Sequence, residues 1–467
     1  MKNEKDIEIV LINPYNKRIV LRDFYSSTIS KGVYNWPNID LLCIASNLQK
    51  KFNIKIIDAN SEKIKADDLV KKLNSYKLKG LIFSIGKSVL EEDYNFIKEI
   101  KKKLSYRTKI FVVGGVIYYN AKKELENNEF IDGCITNFTT EDILNYFLNK
   151  KENLKNIVIR NGNKITDYGI KLPENGFKLS IPPHNQLNLK NYQLSHGRSN
   201  FLTSVISSYG CPHVCSFCVS GKIKYRYRDP NNIIEELDYL KQIGVREIIF
   251  KDNIFGFHKR VYKELLKKMI EKKYNFSWVT DTRVDILDEE LLDLMSKSGC
   301  HALHFGIETK NEKILDTYNK NLKNINLVKK TLDLCKTYKI LTVGYFILGL
   351  PGETKKDVNE TIDYSIELGL DFASFNLPIP IIGTELRSKS IENNWITNNL
   401  SDYDGSNMPI LSTNKLSPLE LKKLRSKAYK KFYLRTKYIF NKVLSIKNFF
   451  QLKMLIIEFT NLLIRKH

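Results

Sequence analysis

The chain has 467 residues, a hydrophobic fraction of 42% and a net charge of +23. That length is enough for two or three domains, and the apolar share is that of a globular protein able to bury a large core. No run of about 18 apolar residues occurs, so no transmembrane helix is expected. The opening MKNEKDIEIVLINPYN passes from charged residues straight into an apolar run, without the pattern of a cleaved secretory signal. These features point to the cytosol, where thiols stay reduced and a tight cysteine group favours metal over disulfide. The positive charge fits an acidic partner, either nucleic acid or an anionic membrane surface. It fits equally a chain that uses Lys as its default surface residue. About half of the excess falls in residues 422–467, where thirteen Lys or Arg stand against one acid, Glu458, for a net +12.

Residues 7–150 alternate short apolar runs with helical patterns. IEIVLINP, NIKIIDAN, KGLIFSIG, TKIFVVGG and IDGCITN read as strands, and the segments between and after them read as helices. Five strands alternating with helices predict a doubly wound parallel sheet covered on both faces. Ligands of such sheets sit outside the carboxyl ends of the strands. The candidate loops are therefore NPYN (13–16), SIGKS (84–88) and GGVIYYN (114–120), with Asn13, Ser84, Gly114 and Gly115 as candidate contacts. The glycine pair would let a backbone approach a ligand closely, or would serve only as a turn.

Residues 151–200 break the rhythm. IRNGNKITD reads as a small hairpin with an Asn-Gly turn, IPPHNQLNLKNY has neither period, and the whole stretch reads as a linker. A second α/β series runs from 201 to 395 with six strand–helix units. Six is too few for a closed eight-stranded barrel, so a partial (β/α)6 TIM-like barrel is expected, with its site at the carboxyl ends of the strands. Residues 396–467 form a helical, basic C-terminal extension. Its stretch AYKKFYLRTKYIFNKVLSIKNFFQLKMLIIEF would either cap the barrel through its aromatic face or lie on an anionic membrane.

Three of the seven cysteines fall within SSYGCPHVCSFCVSG (207–221), spaced Cys211-x3-Cys215-x2-Cys218. A structural zinc site asks for four Cys or His ligands, usually as two separated pairs. Only His213 is near, and Cys43, Cys134, Cys300 and Cys335 stand singly on apolar elements, where core packing is expected. A four-iron cluster is also held by thiolates, and three of them would leave one iron open for a substrate or cofactor. The loop follows the first barrel strand, where this architecture places chemistry.

Cys-x3-Cys-x2-Cys ahead of a partial barrel resembles the radical S-adenosylmethionine (SAM) enzymes. Further stretches match in order. FKDNIF (250–255) resembles the end of the second strand, with Asp252 and Asn253 toward the methionine moiety. TRVD (282–285) resembles the third, with Arg283 toward the carboxylate. FGIET (305–309) resembles the fourth, with Glu308 and Thr309 near the ribose. GYFILGLPGET (344–354) resembles the adenine-side segment through Gly344, Phe346, Gly349 and Gly352, with Phe346 where Ile is usual. LPIPIIGTEL (377–386) resembles the sixth-strand turn, with Pro380 and Gly383 shaping the wall. The resemblance implies a [4Fe-4S] cluster on Cys211, Cys215 and Cys218, reductive cleavage of SAM, and hydrogen abstraction from an unactivated carbon. It also implies an electron donor such as flavodoxin or ferredoxin and a small-molecule or biosynthetic-intermediate substrate. Phe217 is expected to shield the cluster. His301 and His304 are both candidates of interest; His304 shares strand parity with Gly306 and Glu308, and would be a proton donor near substrate or a hydrogen-bonded core residue.

The five-stranded domain ahead of the barrel resembles the cobalamin-binding subclass of that family. Two departures are evident: Gly114-Gly115-Val116-Ile117 lacks the usual His, and NFTTED (137–142) replaces a glycine-rich turn. The subclass implies cobalamin-dependent C-methylation; its other members carry out radical cyclisation, oxidation or rearrangement. A tRNA methylthiotransferase would suit the basic charge but needs three further N-terminal cysteines, and only Cys43 and Cys134 are there. A zinc-stabilised nucleic-acid-binding module is the rival from another class, and the cysteine loop makes a nucleic-acid partner the weaker expectation.

Overall fold

The computed structural model describes residues 6–32, 34–150, 152, 154–172, 174, 176–322, 324–397, 410–444, 446 and 449–464. The chain divides into two units, Met1–Ser30 with Tyr34–Gln193 and Lys31–Val33 with Leu194–His467.

In the first unit the strands are β1 (Ile9–Asn13), β2 (Val20–Arg22), β3 (Ser27–Ile29), β4 (Ile54–Asp58), β5 (Gly80–Ser84), β6 (Lys109–Val113), β7 (Gly133–Ile135), β8 (Ile157–Asn161) and β9 (Lys164–Asp167). Seven form one sheet in the order β4-β1-β5-β6-β7-β8-β9. The first five in that order are parallel. Their apolar runs are continuous rather than alternating because both faces are covered: every residue of β1 and of β5 is buried. The expected five-stranded parallel sheet is present, and the structure extends it. β8 pairs antiparallel to β7 and β9 to β8, so the hairpin assigned to the linker is part of the sheet. The reason is burial: β7 has three residues and an open edge, and Ile157, Val158 and Ile159 are each 1% exposed against it. β2 and β3 form a separate antiparallel pair, which the sequence pattern did not reveal.

The second unit contains β10 (Leu202–Val205), β11 (Ser208–Tyr209), β12 (Arg226–Tyr227), β13 (Glu247–Phe250), β14 (Ser277–Thr282), β15 (Cys300–Glu308), β16 (Leu341–Ile347) and β17 (Phe372–Asn376). Six of them form a parallel sheet in the order β10-β13-β14-β15-β16-β17, neighbours in sequence being neighbours in space. Helices Pro230–Gln242, Lys259–Glu271, Glu289–Lys297, Ile325–Thr337 and Lys355–Glu367 connect the strands. β15 is irregular at both ends. Cys300 faces Trp278 and Ala302 faces Val279, which leaves His301 bulged, and a second shift falls between Gly306 and Glu308. β11 and β12 pair antiparallel and bracket the cysteine loop.

The C-terminal helices Pro418–Tyr433 and Thr436–Leu444 lie along the edge strand β17. Tyr433 Oη accepts from the Ala373 amide (3.0 Å) and donates to the Ala373 carbonyl (2.7 Å). Tyr429 Oη does the same for Phe375 at 3.3 and 3.2 Å, and Tyr438 Oη donates to the Asp371 carbonyl at 2.9 Å. Residues 373 and 375 present their backbone polar groups on the outer side of the strand, as does the carbonyl of residue 371, so three phenols satisfy an edge that no further strand covers among the described residues. Of the two expectations for the extension, capping accounts for this aromatic face. Residues 398–409 and 465–467 of the extension lie outside the described residues. Among the described residues no helix is long and apolar enough to cross a membrane.

Candidate functional site

The cysteine loop begins at Gly210, whose φ of +84° favours glycine; a Cβ there would come within 2.5 Å of the Ile223 carbonyl oxygen. The Cys211 amide donates to that same carbonyl (3.2 Å), and the Cys218 amide to the Cys215 carbonyl (3.0 Å). Asn253 clamps the loop at both ends, its Oδ1 accepting from Ser220 Oγ (3.2 Å) and its Nδ2 donating to the Gly210 carbonyl (3.5 Å). The three thiols are partly exposed and free. Burial pushes Cys211 up to about 11 and raises Cys215, so neutral thiols are favoured until a positive charge compensates. Among the described residues no three His, Cys, Asp or Glu side chains stand close enough to hold one metal ion. A polynuclear cluster takes one thiolate per iron and spreads its ligands. His213 packs edge-on to Phe257, and its Nε2 has no partner among the described residues.

Two cations supply the compensation. Arg283 is held by both Asp285 oxygens (2.9 and 2.7 Å) and donates through Nη1 to the Lys320 carbonyl (3.1 Å). Burial works against its charge, but Asp285 and the neighbouring Cys215 and Cys211 keep it above its ordinary range. Lys320 Nζ lies 2.8 Å from Glu308 Oε1, both side chains 9% exposed. Burial opposes this charge too, and Glu308 and Cys215 raise it. Glu308 has a φ of +69°, uncommon for a residue with a side chain, at the second irregularity of β15. Lys320 was not singled out from sequence: it stands in TYNKNL, a stretch with no periodicity, and only the fold brings it to the thiols.

Several expected ligand contacts are turned elsewhere. Asp252 is buried and accepts from the Ser207 amide (2.8 Å), the Ser208 amide (3.0 Å), Tyr262 Oη (2.9 Å) and Ser207 Oγ. Burial still raises its pKa. It positions the strand that leads into the cysteine loop. The Thr309 hydroxyl donates to Glu353 Oε1 (2.6 Å) and is not free for a ribose. Glu353 Oε2 in turn accepts from the Gly349 and Leu350 amides (2.8 and 2.9 Å) and so shapes the GLPGE turn. Burial lifts Glu353 to about 7. Phe346 is fully buried and stacked on Phe375 (5.4 Å, 24°), and a Cβ on Gly344 would meet Leu370. Both point into the helix-packed layer, so any cofactor contact there runs through backbone. Gly349 and Gly352 have φ of +87° and +107° in the same turn. The Pro380 carbonyl accepts from Arg387 Nη1 (3.1 Å), and Gly383 has φ +86°. Phe217 packs on the apolar cluster of Ile314, Tyr318 and Leu350.

His304 and His301 are both hydrogen-bonded. His301 Nε2 lies 2.8 Å from Glu247 Oε1. His304 Nδ1 lies 2.9 Å from Asp281 Oδ1 and 3.1 Å from Tyr345 Oη, and its Nε2 lies 3.0 Å from His196 Nε2. His196 lies in the stretch taken as a linker and was not foreseen.

In the first unit the predicted strand-end residues bond to one another. Asn13 donates to Asp58 Oδ1 (2.9 Å) and accepts from Arg22 Nη1 (3.1 Å), and Tyr192 Oη donates to Asp58 Oδ2 (2.7 Å). Arg22 forms a fully buried ion pair with Asp93, Nη2 to Oδ1 2.8 Å. Ser84 Oγ accepts from Asn38 (2.8 Å) and donates to the Arg22 carbonyl (3.1 Å). Gly114 and Gly115 are required by the unit's own backbone: a Cβ would meet the Ile85 carbonyl at the first and the Phe24 carbonyl at the second. The unpartnered groups lie at the end of β7 instead. Thr136 Oγ1 and Asn137 Nδ2 are buried with no partner among the described residues.

Residues 205–365 match the family model of the Radical SAM superfamily. The second unit thus carries a radical SAM domain. It is 28% identical over 421 residues to an uncharacterized methyltransferase of Pyrococcus horikoshii, covering 86% of this chain and 89% of that one. It is 23% identical over 368 residues to the bacteriochlorophyllide d C-12(1)-methyltransferase of Chlorobaculum tepidum, covering 77% and 74%. Two solved structures share the fold. The radical SAM methyltransferase TsrM of Kitasatospora setae, with cobalamin and a [4Fe-4S] cluster bound, gives a TM-score of 0.67 at 15% identity, covering 91% of this chain and 88% of that one. The cobalamin-dependent SAM radical enzyme OxsB, with aqua-cobalamin and SAM bound, gives 0.70 at 12% identity, covering 98% and 71%.

Proposed function

We propose that the chain is a cobalamin-dependent radical SAM C-methyltransferase acting on a small molecule. The observation that carries the reading is the cysteine loop: three thiols after the first strand of a six-stranded parallel sheet, with Lys320 and Arg283 beside them. In this reading the sheet is a partial barrel, residues 1–150 are the cobalamin-binding domain, and residues 396–467 are a basic helical cap. Cys211, Cys215 and Cys218 hold the cluster, and Lys320 and Arg283 offset the charge of the thiolates. The cluster and SAM together supply a carbon radical that removes hydrogen from the substrate. Asn253 and Asp252 fix the loop that presents the thiols. Arg283 and Glu308, with the backbone of Gly344, Phe346, Gly349 and Gly352, line the SAM side, and Thr309 holds the Glu353 turn.

The first unit fits a corrin on the chemistry of its donors. A corrin carries amide side chains, and Thr136 Oγ1 and Asn137 Nδ2 offer it buried polar groups that no other described residue satisfies. Asn13, Ser84, Gly114 and Gly115 act behind them, fixing the strand ends. The lengthwise likeness to methyltransferases favours methyl transfer over cyclisation. The relative named anaerobic magnesium-protoporphyrin IX monomethyl ester cyclase, from Rubrivivax gelatinosus, aligns over 37% of this chain. An electron donor such as flavodoxin or ferredoxin would serve the cluster.

Anaerobic reconstitution with iron, sulfide and cobalamin, followed by SAM and a reductant, tests this. A brown protein that retains corrin and forms 5′-deoxyadenosine and S-adenosylhomocysteine is expected. Absence of iron–sulfur absorbance would overturn the enzyme reading, and 5′-deoxyadenosine without corrin retention would overturn the cobalamin part.

A further inference from the structure

The last two helices of the chain present a surface that the cysteine site does not use. Thr436–Leu444 packs against the second unit through its polar side. Tyr438 Oη donates to the Asp371 carbonyl (2.9 Å), and Lys442 Nζ lies 3.8 Å from Asp371 Oδ1 and 3.8 Å from the centre of the Phe372 ring. Ile439 and Val443, and Phe440 and Leu444, stand four residues apart, so each pair shares a face and together they form one stripe. At about 100° per residue, that stripe lies on the far side of the helix from Tyr438 and Lys442. Phe440 is 65% exposed and Leu444 67%. A surface helix of a globular protein ordinarily turns its apolar stripe to the core; this helix turns it outward.

The next helix, Phe449–Ile464, repeats the arrangement. Met454 is buried, whereas Phe449 (80% exposed), Leu452 and Ile456 follow one another at spacings of three and four along the outer face. Single exposed apolar side chains are ordinary, but two consecutive helices with outward stripes mark an interaction surface. Lysines border both stripes: Lys437 is exposed three residues before Phe440, and Lys453 is exposed four residues after Phe449. Residues 422–467 as a whole hold thirteen Lys or Arg and one acid.

Charge and apolarity together select the occupant. A second copy of the same face would bring together two segments of net +12. A nucleic acid would engage the lysines but leave the aliphatic groups of Val443, Leu444, Leu452 and Ile456 in water. An anionic bilayer takes both, its headgroups meeting the cations and its acyl boundary the apolar side chains. With 9 and 16 residues the helices are too short to cross it, since a span takes about 20.

We propose that the helices Thr436–Leu444 and Phe449–Ile464 dock the protein on an anionic lipid bilayer. They lie in the plane of the interface, with Phe440, Leu444, Phe449 and Ile456 below the headgroups and Lys437 and Lys453 among them. Tyr438 and Lys442 keep their contacts with Asp371 and Phe372, so docking leaves the covered edge of β17 intact. The proposal is independent of the functional reading, because none of these residues touches the cysteine loop.

The test uses full-length protein reconstituted with iron and sulfide. It is sedimented with vesicles of phosphatidylcholine alone and of phosphatidylcholine mixed with phosphatidylglycerol. Binding to the mixed vesicles is expected, with little to the neutral ones. Raising salt from about 0.1 to 1 M should release the protein, as the screening length falls from about 10 to 3 Å. Phe440→Ser combined with Phe449→Ser should weaken binding by about tenfold or more, the scale of withdrawing two rings from an apolar phase. Lys437→Gln and Lys453→Gln should each weaken it about fivefold, the scale for one cation near a charged surface. All four side chains are exposed, and iron–sulfur absorbance with the denaturation midpoint reports folding in each variant. Equal binding to both kinds of vesicle, no binding by the unmodified protein, or undiminished binding by the double phenylalanine variant would overturn the proposal. So would a dimer in sedimentation equilibrium that the double variant dissolves, which would make a second copy the occupant. Displacement from vesicles by an RNA oligonucleotide that the double variant binds as tightly as the unmodified protein would overturn it in favour of nucleic acid.

Discussion

The two units treat the ends of their parallel strands in opposite ways. In the first, charged and polar groups there bond mainly to each other: Arg22 to Asp93, Asn13 to Asp58, Ser84 to Asn38. In the second, the corresponding region keeps three thiols partly exposed and places two cations, Arg283 and Lys320, against them. One architecture thus yields a closed polar layer in one case and an unfinished electrostatic site in the other. The lesson is that a strand-end position alone does not make a residue a ligand. What distinguishes the units is whether the local hydrogen bonds and charges already sum to a satisfied state.

The largest expected effect falls on the cysteines. Cys211→Ala, Cys215→Ala or Cys218→Ala should each remove most visible iron–sulfur absorbance after reconstitution and bring SAM cleavage below detection. An absorbing, active triple variant would place the cluster elsewhere. Next come two of the buried ion pairs, one taken from each unit. Lys320→Met leaves Glu308 buried without its partner, and Arg22→Met does the same to Asp93. Each should cost about 3–5 kcal/mol in denaturant unfolding, the scale for breaking a buried pair. Lys320→Met combined with Glu308→Gln should recover part of that loss. If Lys320→Met unfolds like wild type, the comparison fails at its most specific point.

Glu353 gives a pH signature of intermediate size. Burial raises its folded pKa to about 7, above the ordinary glutamate value. The folded state therefore binds the proton more tightly than the unfolded state. Its contribution is full below the unfolded pKa and is lost as pH rises through about 7, by about 3 kcal/mol in all. Glu353→Gln should flatten that slope between about pH 4 and 7, measured as unfolding free energy against pH; an unchanged slope would show that another group carries it. The smallest effect is expected at the edge strand, where Tyr429→Phe and Tyr433→Phe should each cost about 1 kcal/mol through lost hydrogen bonds.

Much of this was legible before the structure. The cysteine spacing is local, and ligands brought together by a short loop are written in one stretch of chain. The alternation of apolar runs was equally readable, because a strand buried on both faces is a nearly continuous apolar run, as β1 and β5 are up to their polar last residues Asn13 and Ser84. What was not legible depends on pairings between distant segments. That the 157–167 hairpin joins the first sheet is a matter of an open edge on β7. Lys320 and His196 stand in aperiodic stretches, and only the fold gives them Glu308 and His304 as partners. Asp252, Thr309 and Phe346 were read from a resemblance that marks positions along the chain. Which way a side chain turns at such a position is decided by burial and by the nearest unsatisfied backbone amide.

The tyrosines along β17 bear on how the protein is handled. A chain cut before residue 418 would lose the phenols that cover Ala373 and Phe375 and would bare the apolar contact made by Leu421 at Gly349. The exposed strand would then be a template for another copy of itself. Such a truncation is expected to associate and precipitate, so the basic extension acts as a built-in solubility device as well as whatever its charge attracts.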